Sequence, residues 1–248
     1  KNGRRCRQGS EGSWRRTDRI LMRLIITRPE EDALPLKAKL ETRGHAAIMA
    51  PLLKIVPRSQ AFVPPLAYQL VCITSANALR FLQVEDRLKT VPLLTVGPQS
   101  LAMAREIGFK FAEAHGGDVQ GLAAHAAAAF DPKKGPVLYL SGAKTSADLQ
   151  ALLMASGFAV EKVVTYDALV QTPDDIEGAL KRADGVLLYS PRTAHLWCKL
   201  MVSSGLEREA AAPIYYCLSE NVAKALPGDW KRRVAEMPDE AAMLALLD

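Results

Sequence analysis

The chain lacks any apolar stretch that could cross a membrane as a helix. Such a span needs about 18 apolar residues, whereas the longest apolar run, Ala46–Leu53, has eight residues and contains Pro51. Of the 248 residues, 49% are hydrophobic and 24% are charged, which is typical of a globular protein. The length suits one large domain or two small ones. We therefore expect a folded protein without a membrane partner.

The main part of the chain also lacks net charge. The formal net charge is +5, which taken alone favours nucleic-acid binding. Residues 1–21 hold seven Lys and Arg against two Asp and Glu, which accounts for the whole excess, so residues 22–248 are neutral. We therefore predict no nucleic-acid partner. The alternative is a nucleic-acid protein that binds through this basic tail, whose removal would abolish binding.

The basic tail has few apolar residues with which to pack. Its Gly, Ser and Arg content predicts a disordered N-terminal extension over residues 1–21. Met22 directly precedes the strand-like run Leu24–Thr27, and we hypothesise that Met22 is the natural start. An Arg-rich targeting arm is the alternative, although such segments are poor in acidic residues and this one contains Glu11 and Asp18.

Sequence signatures of metal, nucleotide and hydrolase chemistry are missing. The four cysteines have neither zinc nor redox spacing, and the four histidines do not pair at metal-ligand spacing. No phosphate-binding loop, zinc-protease motif, nucleophile elbow or dinucleotide fingerprint is present. Cys72 and Cys217 stand in apolar strand-like runs, where cysteine acts as a small hydrophobe. We therefore expect a reducing, cytoplasmic location.

What the sequence does contain is a repeated alternation of short apolar runs with helix-length amphipathic segments. Leu24–Thr27 predicts a strand, and Glu30–Arg43 predicts a helix that Gly44 ends. Further strands are predicted at Ala46–Met49, Leu70–Thr74, Leu93–Val96, Val137–Leu140, Val160–Val164, Val186–Tyr189 and Pro213–Leu218, with helices that include Ser75–Leu82, Leu101–Ile107, Leu122–Phe130 and Val222–Leu226. Repeated strand-then-helix units predict parallel sheets with helices on both faces.

The second half of the chain echoes the first. Val137–Leu140 follows Leu24–Thr27 at an offset of 113 residues, and Gly157 follows Gly44 at the same offset. Shared hydrophobic patterning of all strand–helix units is the alternative explanation. The matching glycines and serines at the junctions favour two similar α/β domains with a cleft between them.

Polar residues recur where predicted strands meet helices. These junctions are Thr27-Arg28-Pro29, Thr74-Ser75-Ala76-Asn77, Gly97-Pro98-Gln99-Ser100, Ser141-Gly142-Ala143-Lys144, Ser190-Pro191-Arg192-Thr193 and Ser219-Glu220-Asn221. In parallel α/β sheets, ligands bind at the carboxyl ends of the strands, where helix N-termini attract carboxylates and phosphates. Arg28, Lys144 and Arg192 would add cations, while simple N-capping is the alternative role for the serines. Together, the junctions predict a cleft that holds a polyanionic small molecule.

The same residues resemble the uroporphyrinogen-III synthase family over nearly all of residues 22–248. The resemblance rests on Leu24-Ile25-Ile26-Thr27-Arg28-Pro29, Arg43-Gly44-His45, Pro51-Leu52-Leu53, Ile73-Thr74-Ser75-Ala76-Asn77-Ala78, Val96-Gly97-Pro98, Gly116-Gly117-Asp118, Val163-Val164-Thr165-Tyr166 and Ser190-Pro191. Each piece is short, but their order and spacing are fairly specific. The chain departs from the family at Ser219-Glu220-Asn221, where a Gly-Pro-x-Thr-Ala-like turn is usual.

This resemblance implies an α/β fold with two similar parallel-sheet, flavodoxin-like domains. A two-stranded β-ladder would join them, with the active site in the interdomain cleft. On this sequence, domain 1 would comprise residues 22–51 plus 171–248, and domain 2 residues 58–163. The linker strands would be residues 52–57 and 164–170.

The resemblance also implies a reaction. Hydroxymethylbilane, a linear polycarboxylate tetrapyrrole, would lose water and close to uroporphyrinogen III with its terminal pyrrole ring inverted, as a step of haem, sirohaem and cobalamin biosynthesis. Neither a metal nor an organic cofactor would be needed. A monomer that receives its substrate by hand-over from hydroxymethylbilane synthase would fit this role. A non-catalytic two-domain binding protein for a polyanionic small molecule is the alternative.

Site residues follow from the junctions and the resemblance together. Tyr166 matches a cleft tyrosine of the family, and its phenol could donate a hydrogen bond to the leaving hydroxyl. Packing on the linker is the alternative role for Tyr166. A phenol in the cleft would also distinguish an enzyme from a non-catalytic binding protein, which has no need of one. The predicted substrate-binding residues are Arg28, Thr74, Ser75, Ser100, Lys144, Ser190, Arg192 and Ser219.

Overall fold

The computed structural model describes residues 21–115, 117–145 and 147–248. The predicted disordered extension at residues 1–21 lies outside this range except for Leu21, whose N–H donates to the Gly44 carbonyl. Gly116, which belongs to one of the matched motifs, also lies outside it. Within the described residues, no helix combines the length and the apolar character that crossing a membrane requires.

Eleven strands and eleven α-helices are formed by the described residues. The strands are β1 (Arg23–Ile26), β2 (Ala46–Met49), β3 (Leu53–Pro57), β4 (Leu70–Ile73), β5 (Leu93–Thr95), β6 (Ala112–Ala114), β7 (Val137–Gly142), β8 (Val160–Val170), β9 (Gly185–Leu188), β10 (Ile214–Cys217) and β11 (Arg232–Val234). The helices are α1 (Glu30–Thr42), α2 (Asn77–Arg80), α3 (Asp86–Lys89), α4 (Pro98–Ile107), α5 (Val119–Ala129), α6 (Leu149–Ala155), α7 (Ile176–Arg182), α8 (Pro191–Ser203), α9 (Glu207–Ala210), α10 (Glu220–Ala223) and α11 (Glu240–Ala245).

The strands assemble into two sheets. The first has the order β11-β10-β9-β1-β2 and is parallel throughout. The second has the order β3-β8-β7-β4-β5-β6 and is parallel except for the edge strand β3, which runs antiparallel to β8. The predicted α/β fold with two parallel-dominated sheets is confirmed.

Strand β8 has two different partners along its 11 residues. Its first half pairs in parallel with β7, from Val160 opposite Val137 onward. Its second half pairs antiparallel with β3, from Tyr166 opposite Pro57 to Val170 opposite Leu53. Two antiparallel segments therefore carry the chain out of the first sheet and back to it.

The central strands of each sheet are buried on both faces, which explains the continuous apolar runs. In β1, Ile25 packs into one hydrophobic cluster, while Leu24 and Ile26 pack into the cluster on the opposite face. In β7, Leu138 and Tyr139 divide between two clusters in the same way. Successive side chains of a strand point to opposite faces, so a strand covered on both sides is apolar at every position.

Helix α2 is shorter than the predicted segment, which extended to Leu82. The Ala78 carbonyl accepts a hydrogen bond from the Thr165 hydroxyl at 2.9 Å, and the Leu82 N–H bonds to the Leu79 carbonyl instead. A side chain of β8 thus takes the acceptor that a further α-helical turn would use. Helix α10 likewise ends at Ala223 and not at Leu226.

Candidate functional site

A network of charged and polar side chains joins the strand ends of the two sheets. We call it the strand-tip network, and it consists of Arg28, Asp32 and Glu240 from the first sheet's side and Arg80 and Gln99 from the second. Arg28 follows β1, whereas Gln99 lies in the first turn of α4, just after β5. The carboxyl ends of strands from both sheets are therefore in direct side-chain contact.

The Arg28 guanidinium is the most heavily contacted cation of this network. It donates to Gln99 Oε1 at 2.7 Å and pairs with Glu240 Oε2 at 3.1 Å and with Asp32 Oδ2 at 3.3 Å. Its central carbon also lies 4.5 Å from the centroid of the Tyr189 ring. Only 10% of the side chain is exposed, so these partners replace the water that a buried cation loses.

Asp32 holds the second arginine of the network. Its Oδ1 accepts from the Arg80 guanidinium at 2.8 Å and from the Gln99 amide at 3.0 Å. Asp32 lies in the first turn of α1, where the helix dipole favours a carboxylate. Arg80 also donates to the Asn77 side chain within α2. The Asp32 carboxylate thus links α1 to α2 through Arg80.

Tyr166 lies where β8 leaves β7 and joins β3. Its side chain is 8% exposed, and its ring packs directly over Gly142, the last residue of β7. A Cβ at position 142 would lie 2.6 Å from Tyr166 Cζ and 2.9 Å from its hydroxyl, so only glycine leaves room for the ring. The Ala143 N–H donates to the Tyr166 carbonyl at 3.0 Å, which holds the loop with Lys144 beside this tyrosine.

Tyr189 is a second phenol near these groups, and it was not among the predicted site residues. Its hydroxyl is buried and has no hydrogen-bond partner among the described residues. Burial raises the pKa of this phenol above its usual value. Tyr189 therefore combines a ring that faces Arg28 with a neutral hydroxyl that no described neighbour satisfies.

The predicted hydroxyl residues after β4 and within α4 differ in their contacts. Thr74 Oγ1 lies 3.4 Å from the Tyr139 hydroxyl, and Ser75 Oγ accepts from the Asn77 N–H at 3.3 Å. Ser100 is buried in the first turn of α4. Neither serine is an N-cap, because Ala76 precedes α2 and Gly97 precedes α4.

Two of the three predicted residues after β9 and β10 make hydrogen bonds that stabilise the fold. Ser190 caps α8 and accepts from the Thr193 N–H at 3.1 Å. Arg192 donates to the Ala168 carbonyl of β8 at 2.8 Å, which joins α8 to the ladder. Ser219 precedes α10 without a side-chain capping bond. N-capping, the alternative role for the serines, is thus observed at Ser190.

Most of the strand-tip network was missed by sequence reasoning. Arg28 was predicted, and the spacing of four residues to Asp32 at the start of a helix was an available signal. Gln99 belongs to one of the predicted junctions, although it was not predicted as a site residue. Arg80 and Glu240 come from distant segments, and their residue types are those of ordinary surface positions. Lys144 is exposed and belongs to the loop after β7, apart from the contacts of this network.

Comparison with known proteins gives a consistent family and fold. A family model described as uroporphyrinogen-III synthase HemD matches residues 35–245. The structure is similar to that of uroporphyrinogen-III synthetase from Helicobacter pylori, with 14% identity and a TM-score of 0.62 over 91% of this chain and 97% of that one. It is also similar to a mutant uroporphyrinogen III synthase from the extremely thermophilic bacterium Thermus thermophilus, with 16% identity and a TM-score of 0.53 over 90% and 96%. No curated protein sequence matches the chain.

Proposed function

This chain belongs to the uroporphyrinogen-III synthase family, and from that premise we propose how its residues carry out the reaction. The enzyme is a lyase of tetrapyrrole biosynthesis that converts hydroxymethylbilane to uroporphyrinogen III. Water is lost, the terminal pyrrole ring is inverted and the macrocycle closes. The alternative of a non-catalytic binding protein is not favoured, because the family match extends over most of the chain.

The proposed active site is a cleft between two domains, residues 22–51 plus 171–248 and residues 58–163, joined by linker strands at 52–57 and 164–170. One observation carries this proposal: the strand-tip network connects groups that follow strands of both sheets. In parallel α/β sheets, the carboxyl ends of strands are the usual ligand site. A flexible polycarboxylate that contacts both sets of strand ends is held in one folded shape.

The cations of the strand-tip network are the proposed carboxylate receptors. Arg28 and Arg80 are both held by Asp32 in this structure. A substrate carboxylate would take the place of Asp32, so binding exchanges one ion pair for another. Lys144 and Arg192 are further proposed contacts, with Thr74, Ser75, Ser100, Ser190 and Ser219 as hydroxyl donors.

Tyr166 is the proposed catalytic residue. The hydroxymethyl C–O bond breaks as the pyrrole nitrogen supplies electrons, and the leaving hydroxide is balanced by the N–H proton of that pyrrole, so that water and a neutral azafulvene are formed. The phenol O–H of Tyr166 would donate a hydrogen bond to that leaving group. The electron-poor azafulvene is then attacked by the substituted carbon of the terminal ring, which gives a spiro intermediate before the ring is inverted.

Positioning and exclusion of water would supply most of the effect. Spontaneous closure gives the uninverted ring, so the protein acts mainly by selecting which carbon attacks.

We further propose that the enzyme is a monomer, that it receives its substrate from hydroxymethylbilane synthase and that it acts in the cytoplasm. The free thiols of Cys72, Cys198 and Cys217 support a reducing compartment.

The direct test couples the purified protein to a source of hydroxymethylbilane. The uroporphyrinogen products are oxidised and their isomers separated by chromatography. We expect isomer III to replace isomer I as the main product at catalytic amounts of protein. Exclusive formation of isomer I, at the rate seen without protein, would exclude the proposed activity.

A further inference from the structure

Two histidines from different elements meet beside the edge strand β6. His115 directly follows β6, and His125 lies in α5. Their imidazole rings stack with centroids 3.5 Å apart and an angle of 10° between planes. The Glu113 carboxylate completes the group, with Oε2 at 2.8 Å from His115 Nε2. Glu113, His115 and His125 are called the edge cluster below.

The backbone explains why these side chains converge. Glu113 and His115 are two residues apart in extended chain, so they point to the same side. The His115 N–H donates to the Thr95 carbonyl at 2.8 Å, which continues the pairing of β6 with β5. Asp118 then caps α5 by accepting from the Gly121 N–H. Helix α5 places His125 beside the other two residues.

The edge cluster offers three ligand atoms of a kind that transition metals bind. One atom from each residue lies within 4.8 Å of the other two. Two imidazoles and a carboxylate suit Zn²⁺ and its first-row neighbours better than Mg²⁺ or Ca²⁺, which favour all-oxygen sites. A glutamate carboxylate is ionised at neutral pH, which is the form that coordinates a metal ion.

We propose that Glu113, His115 and His125 form a binding site for a first-row divalent cation of the Zn²⁺ type. Zinc bonds to nitrogen and oxygen are about 2.0–2.2 Å long, so the three side chains must turn to bring one atom of each within that distance of a common point. His115 and His125 are half-buried and Glu113 is exposed, so their side chains have room to adjust. Water would occupy the fourth position.

A bound ion would connect the edge strand to the helix that covers the sheet. β6 has three residues, and among the described strands it pairs with β5 alone. A metal held by β6 and α5 would stabilise the native protein, since ligands that bind only the folded state shift unfolding to higher temperature. This site does not depend on the proposed reaction, because none of its three residues belongs to the strand-tip network.

The test uses the full-length chain without an affinity tag. Zn²⁺ is titrated calorimetrically into the protein and into His115→Gln and His125→Gln. His195→Gln is the matched control, because His195 is an exposed histidine of α8 whose Nδ1 lies near the Pro191 carbonyl. We expect about one ion per chain, a loss of affinity of about tenfold or more in each cluster variant, and no change in the control. Circular dichroism checks that each variant is folded.

Co²⁺ provides a second, independent measurement. Its absorption in the visible region reports nitrogen and oxygen ligands, while a thiolate ligand adds an intense ultraviolet charge-transfer band. We expect visible bands without the thiolate band, and their loss in His125→Gln. Failure to bind either ion, unchanged affinity in the cluster variants or a thiolate band would each overturn the proposal.

Discussion

The Asp32 carboxylate lies 2.8 Å from the Arg80 guanidinium and joins the helix after β1 in one sheet to the helix after β4 in the other. Both side chains are largely buried, with 12% and 16% of their surface exposed. The same carboxylate also contacts Arg28. Asp32 therefore pairs with Arg28 and Arg80, the two cations that we propose as receptors for substrate carboxylates.

Asp32→Asn should release these two arginines. We expect the free energy of unfolding to fall by about 1–3 kcal/mol, because a partly buried guanidinium loses its ionic partner. The KM for hydroxymethylbilane should also fall, because the substrate no longer competes with an internal carboxylate. Urea unfolding and steady-state kinetics measure the two effects.

Glu31→Gln is the matched control for Asp32. It removes the same charge from the same first turn of α1, so the favourable interaction with the helix dipole is lost equally in both variants. Unlike Asp32, Glu31 forms no ion pair with Arg80 in the described part of the chain. We expect KM and stability near those of the parent chain. A KM that rises in Asp32→Asn would contradict the competition that we propose.

Gly142→Ala should displace the Tyr166 ring. The new methyl group would stand 2.6 Å from Tyr166 Cζ, and overpacking of this kind costs about 1–3 kcal/mol. We expect lower stability in urea and a lower yield of isomer III. Gly97→Ala is the control, because a Cβ at position 97 meets no described atom within 4 Å and the backbone there is extended. Equal activity in both variants would argue against a catalytic Tyr166.

Tyr166→Phe should slow formation of isomer III while the fold stays intact. Loss of a positioned proton donor typically lowers the rate by about 10²-fold or more. The comparison variant is Tyr68→Phe, which removes another largely buried phenol, one bonded to the Pro64 carbonyl. Rates by isomer analysis and near-ultraviolet circular dichroism separate catalysis from folding. Unchanged turnover would remove Tyr166 from the mechanism.

Arg28→Ala should weaken substrate binding and reduce its dependence on salt. Attraction between a cation and a carboxylate is screened by added ions, so kcat/KM of the parent should fall with ionic strength more steeply than that of the variant. Arg23→Ala, which removes a cation paired with Asp184 and 52% exposed, serves as the reference. The same salt dependence in the parent and Arg28→Ala would contradict a carboxylate role for Arg28.

Local patterns predicted much of the fold. The apolar runs at β1 and β7 and the glycines at positions 44 and 157 were sufficient to place strands and helix ends, because two-sided burial and left-handed backbone impose strict residue choices. Three-residue β11 was missed, because the sequence Arg-Arg-Val of an edge strand has no apolar run. The length of α2 depended instead on a tertiary contact, the hydrogen bond from the Thr165 hydroxyl to the Ala78 carbonyl.

The amino-acid sequence alone determined the alternation of strands and helices, the α/β fold with two parallel-dominated sheets and the family. Only the tertiary structure decided which side chains meet: Asp32 with Arg80, Tyr166 over Gly142, and His115 against His125. The reason is physical. Secondary structure follows from burial and backbone preferences of neighbouring residues, whereas a polar contact between distant segments depends on how two sheets and their connecting strands pack, and no local pattern encodes that distance.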